Sequence, residues 1–174
     1  MVHLAGFVGS RSLPARFAPF VSSLVSSFLA RGFRVASGGA VGADQFALSA
    51  VVQLGASASG VVFSAWSSAA GFPASVRPTV SRFQAFGGQV VWGPGAVGAP
   101  RQQVVSALLG RNRRLVSACS CVVAFLHGSS RGSLFTVRQA VRAGIPVYVF
   151  LCGGGASLPP DLASRCLVFN KEVI

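Results

Sequence analysis

Acidic side chains are nearly absent from this chain. Of its 174 residues three are Asp or Glu, and Asp44 is the only one before Asp161. A catalytic carboxylate usually needs a partner to act as acid or base, so acid–base chemistry is a poor candidate for function. Histidine is equally scarce. His3 and His127 are isolated, with no acid or cysteine placed to complete a triad or a metal site. The four cysteines (Cys119, Cys121, Cys152, Cys166) match no zinc spacing; Cys119 and Cys121 are predicted on one face of a strand, and all four read as buried reduced thiols. No metal or cofactor is expected from this inventory. Met1-Val2-His3-Leu4 lacks the basic region and long apolar core of a secretory signal. Residues 45–76 carry no charge, but Gly55, Gly60, Gly71 and Pro73 interrupt them, which suits a buried core better than a membrane span. The expectation is a cytoplasmic protein with no membrane partner.

What the chain does carry is arginine. It supplies 14 of the 15 basic residues, and the formal net charge is +12. Such a surface attracts polyanions, nucleic acid above all, either specifically or by plain adsorption. A hydrophobic content of 52% excludes disorder. The length suits one domain over residues 1–174, and neither an internal repeat nor a dividing linker is visible. A chain so apolar and poor in charge is also expected to bury further surface as a homodimer.

Strands are predicted at residues 3–8, 33–36, 59–63, 89–92, 119–125 and 147–151, with a short seventh at 167–169. Helices are predicted from Pro14 to Gly32, from Asp44 to Gly55, and over 74–86, 101–118 and 133–143. The fifth strand is continuously apolar, as a central parallel strand should be. Strand–helix alternation predicts an α/β Rossmann-like three-layer sandwich with a mainly parallel sheet. Ligands of such sheets bind beyond the carboxyl ends of the strands.

Four segments fall at or near those ends. Gly9-Ser10-Arg11 occupies the first strand–helix turn, offering a hydroxyl, main-chain amides and a counter-charge to a phosphate; an ordinary tight turn is the alternative. Ser37-Gly38-Gly39 ends the second strand and feeds the helix near Asp44. Backbone N–H groups and a helix dipole favour a phosphate there. Asp44 either caps that helix or accepts from a sugar hydroxyl or a base. Arg111-Asn112-Arg113-Arg114 is the densest charge run. If helical, it turns Asn112 inward with Leu108 and Val116, sets Arg111 and Arg113 on its flanks, and points Arg114 away. Gly110 is a possible start of a separate helix. The last segment, Ser129-Ser130-Arg131-Gly132-Ser133, precedes a helix with Thr136 in its first turn and forms a second Gly/Ser cradle.

In this order the segments GFVGSRSLP (6–14), VASGGAVGADQFAL (35–48), RNRRLVSACSCVVAF (111–125) and SSRGSLFTVRQAVRAGIPVYVF (129–150) resemble the SLOG superfamily of Rossmann-like proteins. RNR, a strand and then SRGSLFT look most like DNA-processing protein A, whose members bind single-stranded DNA and hand it to the recombinase. SGGAVGAD with Ser64-Ala65-Trp66 is more similar to small YpsA-related members. The chain departs from the first pattern at Phe46-Ala47-Leu48, where a histidine is expected, and has no room for the extra terminal domains. It departs from the Lonely guy hydrolases between Gly128 and Thr136, where their catalytic glutamate has no counterpart. The resemblance therefore implies a non-enzymatic module that grips single-stranded DNA phosphates, with Arg11, Arg111, Arg113 and Arg131 as the cations. A binder of one small nucleotide using the same cradle is the alternative, and an enzyme acting on a nucleotide stands third behind these two. The two readings differ in whether arginines run on beyond the pocket, and Arg77, Arg82, Arg101, Arg138 and Arg142 are available for such a track.

Overall fold

A computed structural model of the chain describes residues 3–171. Strand β1 (Leu4–Gly9) leads through a short 3-10 turn into helix α1 (Ala18–Ala30). There follow β2 (Arg34–Ser37), α2 (Ala43–Gln53), β3 (Gly60–Phe63), α3 (Arg77–Ala85) and β4 (Gln89–Val91). The second half holds α4 (Arg101–Ala118), β5 (Cys121–Leu126), α5 (Arg131–Arg142), β6 (Val147–Leu151), α6 (Pro160–Ala163) and β7 (Leu167–Asn170). The strands form one seven-stranded sheet in the order β4-β3-β2-β1-β5-β6-β7. Every pairing is parallel, so the mainly parallel sheet of the sequence reading is parallel throughout the described residues.

Side chains alternate across the strands and feed two cores. Phe7, Val123 and Phe125 pack with Phe17, Val21, Val51 and Phe83, under α1, α2 and α3. Val8, Val122 and Ala124 pack with Leu115, Val116, Val137 and Val141, under α4 and α5. All six residues of β5 are buried, which explains its unbroken apolar run.

Four local readings change. Helix α4 runs unbroken through Gly110, so no new helix starts there. Strand β5 begins at Cys121, because the chain uses Cys119 and Ser120 to leave α4; Ser120 N–H donates to Leu4 O at 2.7 Å and opens the ladder. Cys119 and Cys121 consequently do not share a strand face: Cys119 lies in the α4–α5 core and Cys121 in the other. Helix α5 starts two residues early, at Arg131, with Ser130 as its N-cap residue.

The order of the sheet decides where a ligand can bind. After β1 the chain turns toward β2, while after β5 it turns toward β6. The two connections diverge and leave a crevice at the carboxyl ends of β1 and β5, the switch point at which such sheets take their ligands.

Candidate functional site

A cavity of about 410 Å³ fills this crevice. Its walls come from the β1 end (Gly9, Arg11, Ser12), the β2–α2 turn (Gly38, Ala40, Asp44), the inner face of α4 (Leu108, Arg111, Asn112) and the start of α5 (Ser129 to Ser133, with Thr136). A second cavity, about 230 Å³, adjoins it through Arg11, Gly38, Ala40, Leu108 and Arg111, and is otherwise lined by Trp66, Pro73 and Val104 among others.

Close backbone approach builds the floor. A Cβ on Gly9 would lie 2.3 Å from Phe125 O and 2.7 Å from the Ala43 methyl, and one on Gly38 would lie 1.7 Å from Arg111 Nη1. Glycine alone fits at position 9, and a side chain at position 38 would have to displace the buried Arg111 guanidinium. Ser10 is buried and joins the two strand ends. Its amide donates to Phe125 O at 2.9 Å, and its hydroxyl accepts from the His127 amide at 2.9 Å.

Asp44 lies in the first turn of α2, whose N-cap residue is Gly42. It does not cap the helix in the usual sense. Its Oδ2 accepts from Gly38 N–H at 3.0 Å and Ala40 N–H at 3.4 Å, folding the glycine turn back over the helix. Ser37 Oγ donates to Asp44 O at 3.0 Å and accepts from Gly39 N–H at 3.3 Å. The amides that the sequence offers to a phosphate at this turn are therefore bonded within it.

Arg111 reaches the same carboxylate at 3.4 Å and donates from Nη1 to Gly38 O. Both side chains are over nine-tenths buried, at 8% and 6% exposure, and this is the only ion pair among the described residues. Burial pushes the Asp44 carboxyl up from its ordinary value, against the pull of Arg111 and the Ala40 and Gly38 amides. Burial likewise lowers Arg111, with Asp44 opposing. Pairing thus offsets only part of the desolvation cost of each charge. Arg111 Nε is buried with no protein partner.

The other half of the site is open to solvent. Arg11 and Arg131 are exposed where they line the cavity, with no acid paired to either. Helix α5 starts here, and its first N–H groups have no intrahelical acceptor. Ser130 and Ser133 share a hydroxyl–hydroxyl bond of 2.7 Å, and Thr136 Oγ1 donates to Gly132 O at 3.1 Å, so all three hydroxyls of the first two turns are held in place.

The structure thus brings together Gly9, Arg11, Gly38, Asp44, Arg111, Asn112, Ser129, Ser130, Arg131, Gly132, Ser133 and Thr136 around one cavity. Gly39 borders the second cavity. Ser10 and Ser37 are buried behind the wall, and Arg113 lies outside, its guanidinium 5.4 Å from the centre of the Phe135 ring. Arg114 does not point away. It donates to Ser64 O at 2.6 Å and Trp92 O at 3.0 Å, holding the connections after β3 and β4. Sequence reasoning missed Arg111 as the inward residue and Trp66 as part of a second cavity.

The family model for DNA recombination-mediator protein A matches residues 2–166, almost the whole of this architecture. The chain belongs to that family. Within the SLOG-type Rossmann fold, it superposes on DNA processing protein A from Helicobacter pylori, a protein described for its single-stranded DNA binding mode. The TM-score is 0.69 and identity 18%, over 86% of this chain and 65% of that one. The DNA processing protein A of Streptococcus pneumoniae matches with a TM-score of 0.66 and 22% identity, over 95% and 54% of the two chains. The molybdenum cofactor binding protein of the phototrophic bacterium Rippkaea orientalis matches at 0.65 and 14% identity, over 97% and 89%. These likenesses establish a shared fold, and this member spans less than two thirds of either DNA processing protein. No curated protein matches the sequence significantly. Among the described residues no three His, Cys, Asp or Glu side chains are grouped to hold a metal ion, and no helix is long and apolar enough to cross a membrane.

Proposed function

We propose that this member of the DNA recombination-mediator protein A family binds single-stranded DNA by its phosphates and performs no chemistry on it. The observation that carries the reading is the charge inside the crevice. Three arginines line it, while its one acid, Asp44, is buried and occupied by Arg111 and two amides. A surface of this kind attracts phosphodiesters and leaves no free carboxylate to move a proton. Arg11 and Arg131 would hold successive phosphates at the mouth, the exposed start of α5 would face one of them, and Arg111 with Asp44 would keep the floor rigid. Family membership and the single-stranded DNA binding of the H. pylori protein support the same conclusion.

Fluorescence anisotropy of a labelled single strand across a salt series tests it. Each phosphate contact contributes about 0.7 to the slope of log K against log salt for a single strand. Arg11→Ala and Arg131→Ala are each expected to lower the slope by about that amount and to weaken binding at every sequence. A wild-type protein that fails to bind at low salt, or variants that bind as well as wild type, would overturn the proposal.

One observation favours a second reading, a small phosphate-bearing ligand such as a nucleotide. The cavity is of the size that encloses small molecules, roughly 300–1,000 Å³, and the fold matches a molybdenum cofactor binding protein over nearly the full length of both chains. Calorimetry with a mononucleotide separates the two: saturable tight binding that excludes the oligonucleotide would favour this one.

A further inference from the structure

Helix α5 buries Ser133, Thr136, Val137, Ala140 and Val141. On the opposite side of the helix, at spacings of four, three and four residues, stand Arg131, Phe135, Arg138 and Arg142. With 3.6 residues per turn these four lie on one stripe. Arg131 and Arg142 are exposed, and Phe135 and Arg138 half-buried. The stripe starts at the mouth of the large cavity, which Arg131 lines, and extends about 16 Å along the helix at 1.5 Å per residue. Arg113 of α4 places its guanidinium over Phe135, adding a fourth cation beside the stripe. At its far end Arg165 donates to Val141 O at 3.2 Å. Asp161 of α6 is the nearest acid in sequence, and none of these arginines makes an ion pair with it. An uncompensated row of like charges on one helix opposes folding slightly and calls for another explanation.

We infer that the outer face of α5 is a track for single-stranded nucleic acid leaving the cavity. Arg138 and Arg142 contact successive phosphates, and the Arg113–Phe135 pair supplies a surface on which a base stacks. Bases stack on aromatic rings and guanidinium planes whatever their sequence, and a basic groove follows the backbone. The track begins where the cavity ends and carries the charge its occupant lacks. It rests on the single-stranded DNA reading and extends it, because a small nucleotide would stop at the cavity.

The test compares a labelled dinucleotide, short enough to stay in the cavity, with a strand of about 16 nucleotides, enough to follow the helix. Wild type is expected to bind the longer strand at least tenfold more tightly at one salt concentration. The double variant Arg138→Ala/Arg142→Ala should bind the short strand unchanged, lose most of the length advantage, and show a salt slope on the long strand lower by about 1.4. Lysine at both positions should restore the slope. Phe135→Leu should weaken the long strand without changing the slope. The double variant Arg77→Ala/Arg82→Ala, with the same loss of charge on α3, serves as control and should keep the length advantage. Equal affinity of wild type for both lengths, or full retention of the advantage by the α5 variant, would refute the track while leaving the cavity reading intact. Absence of binding to either length would remove both.

Discussion

Arg111 and Asp44 show how one buried pair can organise a site without being the part that meets the ligand. Each is held by the glycine turn and by the other, and both side chains are over nine-tenths buried. Removing one member of a buried pair leaves an uncompensated charge, a change that costs about 3–5 kcal/mol. Asp44→Ala and Arg111→Ala are therefore each expected to destabilise by that amount in urea unfolding. The double variant should lose far less than the two together, which a double-mutant cycle reads directly. Additive losses would show that the residues act independently. Gly38 belongs to the same unit, since any side chain there would displace the Arg111 guanidinium.

Among the elements, α4 is the least ordinary. It is 18 residues long, crosses the site, and contains a glycine in its middle. Nothing in the fold requires that glycine: its φ is not positive, and a methyl group at the position would meet no atom within 4 Å. Gly110→Ala should stabilise the protein by about 0.5–1 kcal/mol, read as a rise in thermal midpoint of a few degrees. An unchanged or lower midpoint would point to a role for a bare backbone beside the cavity. Much of this element was legible beforehand: the helical region read at residues 101–118 matches α4, while the sequence leaves a break at Gly110 open. Its inward face was not. Leu108, Asn112 and Val116 form one apolar stripe and Ala107, Arg111 and Leu115 the next, and the buried face includes the second. Periodicity ranks an arginine as surface by default, and only the carboxylate of Asp44, far away in sequence, makes its burial tolerable. The same limit applied to Gly38 and Gly39, where the turn was readable but the internal use of its amides was not. The stripe on α5 was the opposite case, open to reading from spacing alone once the helix start was known.

Across the whole molecule, the Asp44–Arg111 pair apart, the groups whose ionisation folding alters are thiols. Burial pushes Cys119 up to about 12 and Cys121 and Cys152 to about 11, from an ordinary value near 9. A raised value in the folded state means that the unfolded chain loses these protons first. Their contribution to stability is complete below about pH 9 and is lost as pH rises through 11 and 12. The urea midpoint should hold steady from pH 7 to about 9 and then fall. Alkylation at pH 8 should reach the half-buried Cys166 well before the other three. Rapid native-state labelling of Cys119 or Cys121 would mean that the cores open far more readily than their packing implies.

The strand order also bears on how the chain is made. Central strand β1 is made well before its partner on one side, β5: Ala5 must wait for Cys121. At ordinary rates of translation that interval is roughly ten seconds. Throughout it, an apolar strand destined for the middle of the sheet has one edge unpaired beside the ribosome. Non-local parallel pairing of this kind is slow to form and exposed to aggregation while it waits. Recovery of folded protein should therefore be governed less by its final stability than by what shelters β1 until the second half of the chain arrives.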